Sequence, residues 1–315
     1  MNQVVSGRLL AISIPFLAVL AACTSEDRPR VLSEVEIAPP IVVPTQSNAN
    51  IDSPTLVVAN NFGASEGDTL TLVWADEFND ARLSPQQWFF ETGDGSQYGI
   101  PGWGNNEMQY YLPDNARLQN GLLKIEARSE QIGAFNYTSA RINTRDRFAV
   151  RYGRIEARMR LPGGQGLWPA FWMLAQDSPY GDWPASGEID IMEATNLGVF
   201  GRNVVLGTIH YGRTFPTDYE FSGESYVVPA NAQEEFHTYA VEWDESEIRW
   251  YVDDVMYAMR NYWYSTEDFP APFDVPFYII FNVAVGGNLP GPPDANTVFP
   301  VTMEVDWVRV YTGEP

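Results

Sequence analysis

Apolar and polar residues alternate along much of the chain, and the period is two rather than 3.6. Leu123, Ile125 and Ala127 alternate with Lys124, Glu126 and Arg128, and Ile155, Ala157 and Met159 alternate with Glu156, Arg158 and Arg160. This is the pattern of strands with one face in a core. Ile248-Arg-Trp-Tyr-Val252 followed by Asp253-Asp254 predicts a strand entering a hairpin turn. Phe277-Tyr-Ile-Ile-Phe281 is apolar without interruption, as expected of a strand covered on both sides. Helical periodicity is almost absent, and 25 glycines and 23 prolines punctuate a sequence without internal repeats. The prediction is an all-β fold of two curved antiparallel sheets packed face to face. The segment 67–315 is ordinary in size for a single sandwich domain.

The N-terminal segment has a different pattern. Arg8 precedes an apolar run from Leu9 to Ala22 that is too short to span a membrane and ends in Leu20-Ala-Ala-Cys23, the only cysteine of the chain. Residues 1–22 read as a secretory signal. The Leu-Ala-Ala-Cys ending resembles a bacterial lipobox, which implies cleavage before Cys23, its lipidation, and a place at the outer membrane or cell surface. One cysteine permits no intramolecular disulfide. Residues 23–66 contain Pro39-Pro40, Pro44 and Ser47-Asn-Ala-Asn50 and read as a flexible tether.

One strand breaks the alternation with charge. Gly187-Glu-Ile-Asp-Ile-Met-Glu-Ala194 puts three carboxylates into an apolar stretch. Glu188 and Asp190 share a face because they are two residues apart, but Glu193 falls on the opposite one. A β-bulge near Ile191 and Met192 would restore it. Glu188 and Glu193 would then lie roughly 13 Å apart at Cα, at ~3.3 Å per residue, close enough for their side chains to converge. A pair separated by about 5 to 5.5 Å suits a retaining glycosidase. Three negative charges so close raise at least one pKa, which keeps a carboxyl group protonated as a general acid. Trp168, Trp172 and Trp183 precede this motif and offer flat faces to sugar rings, although core packing is the commoner use of any one tryptophan.

Glu188-Ile-Asp-Ile-Met-Glu193 resembles the signature of glycoside hydrolase family 16 in its bulged form. Gly102-Trp-Gly-Asn-Asn-Glu-Met-Gln-Tyr-Tyr111 and Phe281-Asn-Val-Ala-Val-Gly-Gly-Asn-Leu-Pro-Gly-Pro-Pro293 resemble blocks of its bacterial laminarinase branch. The resemblance runs from about Thr71 to Tyr311. It implies a β-jelly roll with a concave substrate cleft in residues 67–315, and an endo-acting enzyme that cleaves β-1,3-glucosidic bonds of laminarin-like glucans with retention by double displacement. It further implies Glu188 as nucleophile, Glu193 as acid/base and Asp190 as the residue tuning the nucleophile. Mixed-linkage glucan or algal galactan as substrate, and a non-catalytic glucan-binding surface protein, are the alternatives. Loss of the catalytic glutamates would mark the last of these, and both are present.

The laminarinase-like block marks Trp103, Asn106 and Glu107 as substrate-binding residues; Arg141, Trp168 and Trp172 on strands expected to line the cleft, Trp183 just before the carboxylate motif, His210 on the strand after it and Asn288 in the C-terminal glycine-proline loop are expected to join them. His210 has an alternative as a satisfied structural histidine. Glu77, Gly121 and Asp306 resemble a structural calcium site, with unrelated surface acids as the other reading. No cofactor is expected for catalysis, and the two histidines make no convincing zinc site. The formal net charge of -22 disfavours nucleic acid and anionic glycans, so a neutral β-glucan is the expected partner of an enzyme expected to be monomeric.

Overall fold

The structure is a computed structural model that describes residues 57–60, 70–229 and 231–313. Residues 1–22, Cys23 and most of the expected tether lie outside the described residues. The exception is the strand Val57–Asn60, which lies within the segment expected as tether and pairs in parallel with Phe148–Arg151. Val57 and Val58 supply its β propensity.

Two sheets account for nearly all of the regular structure. The first has the order Val57–Asn60, Phe148–Arg151, Phe277–Val285, Leu167–Ala175, Glu188–Glu193, Val204–Thr214, Asp218–Val227, with Phe89–Glu91 and Arg141–Asn143 added beside Phe277–Val285. The second runs Val255–Arg260, Ile248–Val252, His237–Trp243, Gly153–Arg160, Val301–Gly313, Leu122–Ile132, Phe135–Ser139, Gln109–Tyr111, with Leu70–Asp76 and Ala116–Gln119 added. Pairing is antiparallel apart from the Val57–Asn60 pair and that of Gln109–Tyr111 with Tyr137–Ser139, so the expectation of purely antiparallel sheets is corrected at these two places. Among the described residues the helical turns are short 3-10 turns.

The predicted alternation is what buries the core. Leu123, Ile125, Ala127, Ile155, Ala157 and Met159 are fully buried, and they meet Phe171, Met173, Ile189 and Phe281 from the first sheet in one apolar cluster. Phe277–Val285 is buried along its whole length. Ile279, Phe281 and Val283 enter the main core, whereas Tyr278 and Ile280 join Ala149, Trp172 and Leu174 in a small second cluster. That second cluster lies on the other face of the first sheet and makes it a firm floor rather than a solvated surface. The Asp253-Asp254 turn is made with φ of 49° and 62°, the left-handed pair expected of a two-residue hairpin.

Candidate active site

The strand Glu188–Glu193 holds its carboxylates by the bulge that its parity required. On one side Trp172 pairs with Asp190 and Phe171 with Met192; on the other, Asp190 pairs with Thr208 but Glu193 with Leu206. One extra residue is absorbed between Asp190 and Glu193. Both bulge side chains lie in the core, with Ile191 1% and Met192 0% exposed, so Glu193 returns to the face of Glu188 and Asp190. An apolar pair at the bulge is what permits this, because only residues stable in the core can both turn inward.

Each glutamate is held by one indole. Trp168 Nε1 donates to Glu193 Oε2 at 2.9 Å, and Trp183 Nε1 donates to Glu188 Oε2 at 3.0 Å. His210, which pairs with Glu188 across the sheet, places Nε2 3.0 Å from Asp190 Oδ2 and 3.7 Å from Glu188 Oε1. Its Nδ1 lies 2.7 Å from the Tyr219 hydroxyl. A proton on Nε2 faces the carboxylates and leaves Nδ1 to accept from Tyr219. One ligand atom each of Glu188, Asp190 and His210 lie within 4.8 Å of one another.

Burial dominates the proton chemistry of this cluster. It pushes Glu188 up to about 8 and Glu193 up to about 7, and the neighbouring Asp190 charge pushes both further in the same direction. Burial likewise pushes Asp190 up to about 7, opposed by its hydrogen bond with Glu188. His210 and the two indole N–H groups oppose the shifts of the glutamates and do not cancel them. The cluster therefore retains protons at neutral pH that exposed carboxyl groups release near pH 4. Paired carboxyl groups with raised pKa values on one firm sheet face are equipped for acid/base and nucleophilic work on one bond.

The family model described as "Glycosyl hydrolases family 16" matches residues 103–309. The chain belongs to glycosyl hydrolase family 16. A model for beta-glucan synthesis-associated proteins SKN1/KRE6/Sbg1 also matches residues 3–189, ending before Asp190 and Glu193. Among curated family 16 relatives, the chain is 43% identical over 264 residues to glucan endo-1,3-beta-glucosidase A1 of Niallia circulans, covering 77% of this chain and 38% of that one. It is 43% identical over 262 residues to a beta-glucanase of Rhodothermus marinus, covering 76% and 84% of the two chains. The chain thus spans well under half of the first relative and most of the second. The laminarinase catalytic domain of Thermotoga maritima superposes with a TM-score of 0.70 at 41% identity, covering 78% of this chain and 99% of that one.

The rest of this family 16 cleft divides the expected substrate residues into surface and support. Trp168, Trp172, Trp183 and His210 share the carboxylate face. Trp103, Glu107 and Arg141 are buried. The Arg141 guanidinium lies 4.5 Å from the Trp103 ring and 4.7 Å from the Trp172 ring, and it is ion-paired with Glu91. Glu107 accepts from Gln109 at 2.7 Å and from the Tyr111 hydroxyl at 3.1 Å. Tyr111 accepts in turn from Asn282 at 3.2 Å, and Asn282 from Trp172 Nε1 at 2.7 Å. This chain of bonds fixes the Trp172 ring beside Asp190. Asn106 and Asn288 are exposed and joined at 2.8 Å, which ties the 103–107 turn to the 286–288 loop.

Glu91, Asn282, Tyr219, Phe215 and Phe221 escaped the sequence reading. Asn282 had a signal, as the one polar residue of the apolar run 277–285. Phe221 pairs with His210 across the sheet, and Tyr219 stacks on the His210 ring with 2° between planes. With the exposed Phe215 and Trp183 they form an aromatic rim beside Glu188.

Glu77, Gly121 and Asp306 are neighbours at one end of the second sheet, since Val308 pairs with Asp76 and Val305 with Leu123. Their carboxylates are already engaged. Arg309 donates to both oxygens of Glu77 at 2.8 and 3.0 Å, and Arg158 lies 2.5 Å from Asp306 Oδ2. With two guanidinium groups on these oxygens the side chains do not fit as a calcium donor set.

Proposed function

We propose that this family 16 protein is an endo-acting, retaining 1,3-β-glucanase with Glu188 as nucleophile and Glu193 as acid/base. The observation that carries this reading is the bulge, which brings two indole-held glutamates onto one face with Asp190 between them, and the family 16 signature supports the division of roles. In the first step a Glu188 oxygen bonds to the anomeric carbon as the glycosidic C–O bond breaks, and the Glu193 proton passes to the leaving oxygen. Glu188 must be ionised for this step, and Asp190, hydrogen-bonded to it, is the neighbour to which its proton can pass. In the second step Glu193 takes a proton from water, whose oxygen bonds to the anomeric carbon and releases the Glu188 carboxylate. Trp168, Trp172 and Trp183 present ring faces to apolar sugar faces.

The relatives named for 1,3-β-glucan hydrolysis support laminarin-like glucans as the substrate. The net charge of -22 supports a neutral glycan over a sulfated one. Cys23 and the run before it support an exported, lipid-anchored protein, and Cys23→Ser should abolish incorporation of radiolabelled palmitate in cells. Residues 65–315 should release a ladder of short oligosaccharides from laminarin, and Glu188→Ser should lose about 10⁴-fold or more in kcat. A folded wild-type domain inactive on laminarin and curdlan would overturn the substrate assignment.

A further inference from the structure

The bulge needs a support that the carboxylate strand does not contain. Across Val204–Thr214, Thr208 pairs with Asp190 and Leu206 with Glu193, which leaves Gly207 opposite the extra residue. Gly207 is buried, and a Cβ built on it would lie 2.3 Å from Trp250 Cδ1 and 2.5 Å from the Tyr257 hydroxyl. The notch beside the bulge is therefore filled by a side chain of the second sheet. Trp250 belongs to Ile248–Val252, is 0% exposed, and donates Nε1–H to the backbone carbonyl of Asp190 at 2.8 Å.

We infer that Trp250 is a positioning residue that holds the bulge in register and thereby sets where Glu193 stands relative to Glu188. Three features meet at one point: a glycine that leaves room, an indole that occupies the room, and an N–H aimed at the last carbonyl before the extra residue. A buried carbonyl at a ladder irregularity carries a desolvation cost unless a donor reaches it. Trp250 supplies that donor from the opposite sheet, so the core fixes the cleft chemistry through a single bond. Trp250 touches no substrate. Its contribution is to distance, and a displacement near 1 Å is enough to cost about 10²-fold in rate. The inference rests on Glu193 as the acid.

Trp250→Phe retains most of the ring and removes the N–H. It should be assayed on laminarin, where the leaving oxygen needs a proton, and on 2,4-dinitrophenyl β-laminaribioside, whose leaving group does not. The expected result is a fall of about 10- to 100-fold in kcat on laminarin with KM within about twofold, and a loss under about threefold in kcat/KM on the aryl glycoside, which reports bond cleavage before Glu193 is needed as base. Equal losses of kcat/KM on both substrates, or none on laminarin, would overturn the inference. Glu193→Ala, assayed beside it with azide, separates the two levels. It should also lose kcat/KM selectively on laminarin, and azide should restore its kcat on the aryl glycoside by replacing the water that Glu193 activates. If Glu193→Ala lost kcat/KM alike on both substrates and azide restored nothing, the acid assignment and the inference would fall together. Should Trp250→Phe fold poorly by near-ultraviolet circular dichroism, Gly207→Ala, which displaces the indole and keeps it, is subject to the same two-substrate criterion.

Discussion

Two clusters of acids in this molecule differ mainly in what faces them. On the second sheet Glu156, Glu242 and Asp254 surround Arg154 at 2.8, 3.1 and 2.6 Å, and Arg249 lies between Glu242 and Glu247. Nearby, burial would raise Glu126 but hydrogen bonds from Arg117 and Arg128 outweigh it and hold its pKa down. Glu304 behaves alike between Lys124 and Arg160. In the cleft, Glu188, Asp190 and Glu193 are also largely buried and meet two neutral indole donors and His210. Their pKa values rise. Basic side chains hydrogen-bonded directly to Glu126 and Glu304 favour their ionised forms, whereas the cleft acids meet neutral indole donors and one imidazole and keep their protons to higher pH.

That contrast can be broken from either side. Arg154→Met removes the guanidinium from Glu156 and leaves Glu242 to Arg249 and Tyr251, and should destabilise the fold by about 3 kcal/mol in urea unfolding, with kcat on laminarin unchanged below the transition. A loss of kcat in the folded protein would show that the two clusters are coupled. From the other side, His210→Arg gives the cleft the permanent charge it lacks. It should lower kcat at neutral pH by roughly tenfold and move the alkaline limb of the pH–rate profile about one unit lower, because Glu193 would then release its proton earlier. An unshifted limb would contradict the electrostatic account.

Stability should carry the same signature. The folded cleft carboxyl groups bind protons up to about pH 7 to 8 while unfolded ones release them near 4.5. Their contribution to stability is fully present below the unfolded pKa and is lost as pH rises through the folded values. Tm should therefore decline between pH 4.5 and 8, and Glu188→Gln should flatten that decline by differential scanning fluorimetry. The smallest effect is expected at Glu77 and Asp306, whose oxygens are held by Arg309 and Arg158. Adding EGTA or millimolar calcium should move Tm by less than about 1 °C, since a ligand that finds no free site gives no linkage. A larger rise with calcium would show that the ion displaces an arginine.

The sequence made the carboxylate strand legible because its information is local. Parity alone places Glu193 on the wrong face, and a single bulge resolves it. Alternation located the strands for the same reason. Support residues were less visible because they depend on register between distant segments. Trp250 is 60 residues from Asp190, and nothing in Ile-Arg-Trp-Tyr-Val marks its indole as a donor to the cleft strand. Trp103, Glu107 and Arg141 belong to the site region, yet only packing reveals that they are buried supports of the Trp172 ring. At Glu77 and Asp306 the resemblance pointed to acids of one region, whereas the arginines that pair with them came to light only in the packing.

The most direct test is to follow the anomeric proton of the first products from laminarin by NMR, before mutarotation, with wild-type protein and Glu188→Ser. If the bulge brings Glu188 and Glu193 to opposite roles on one glycosidic bond, β-anomer appears first and the variant gives none. Initial α-anomer, or undiminished β-anomer from Glu188→Ser, would contradict that account.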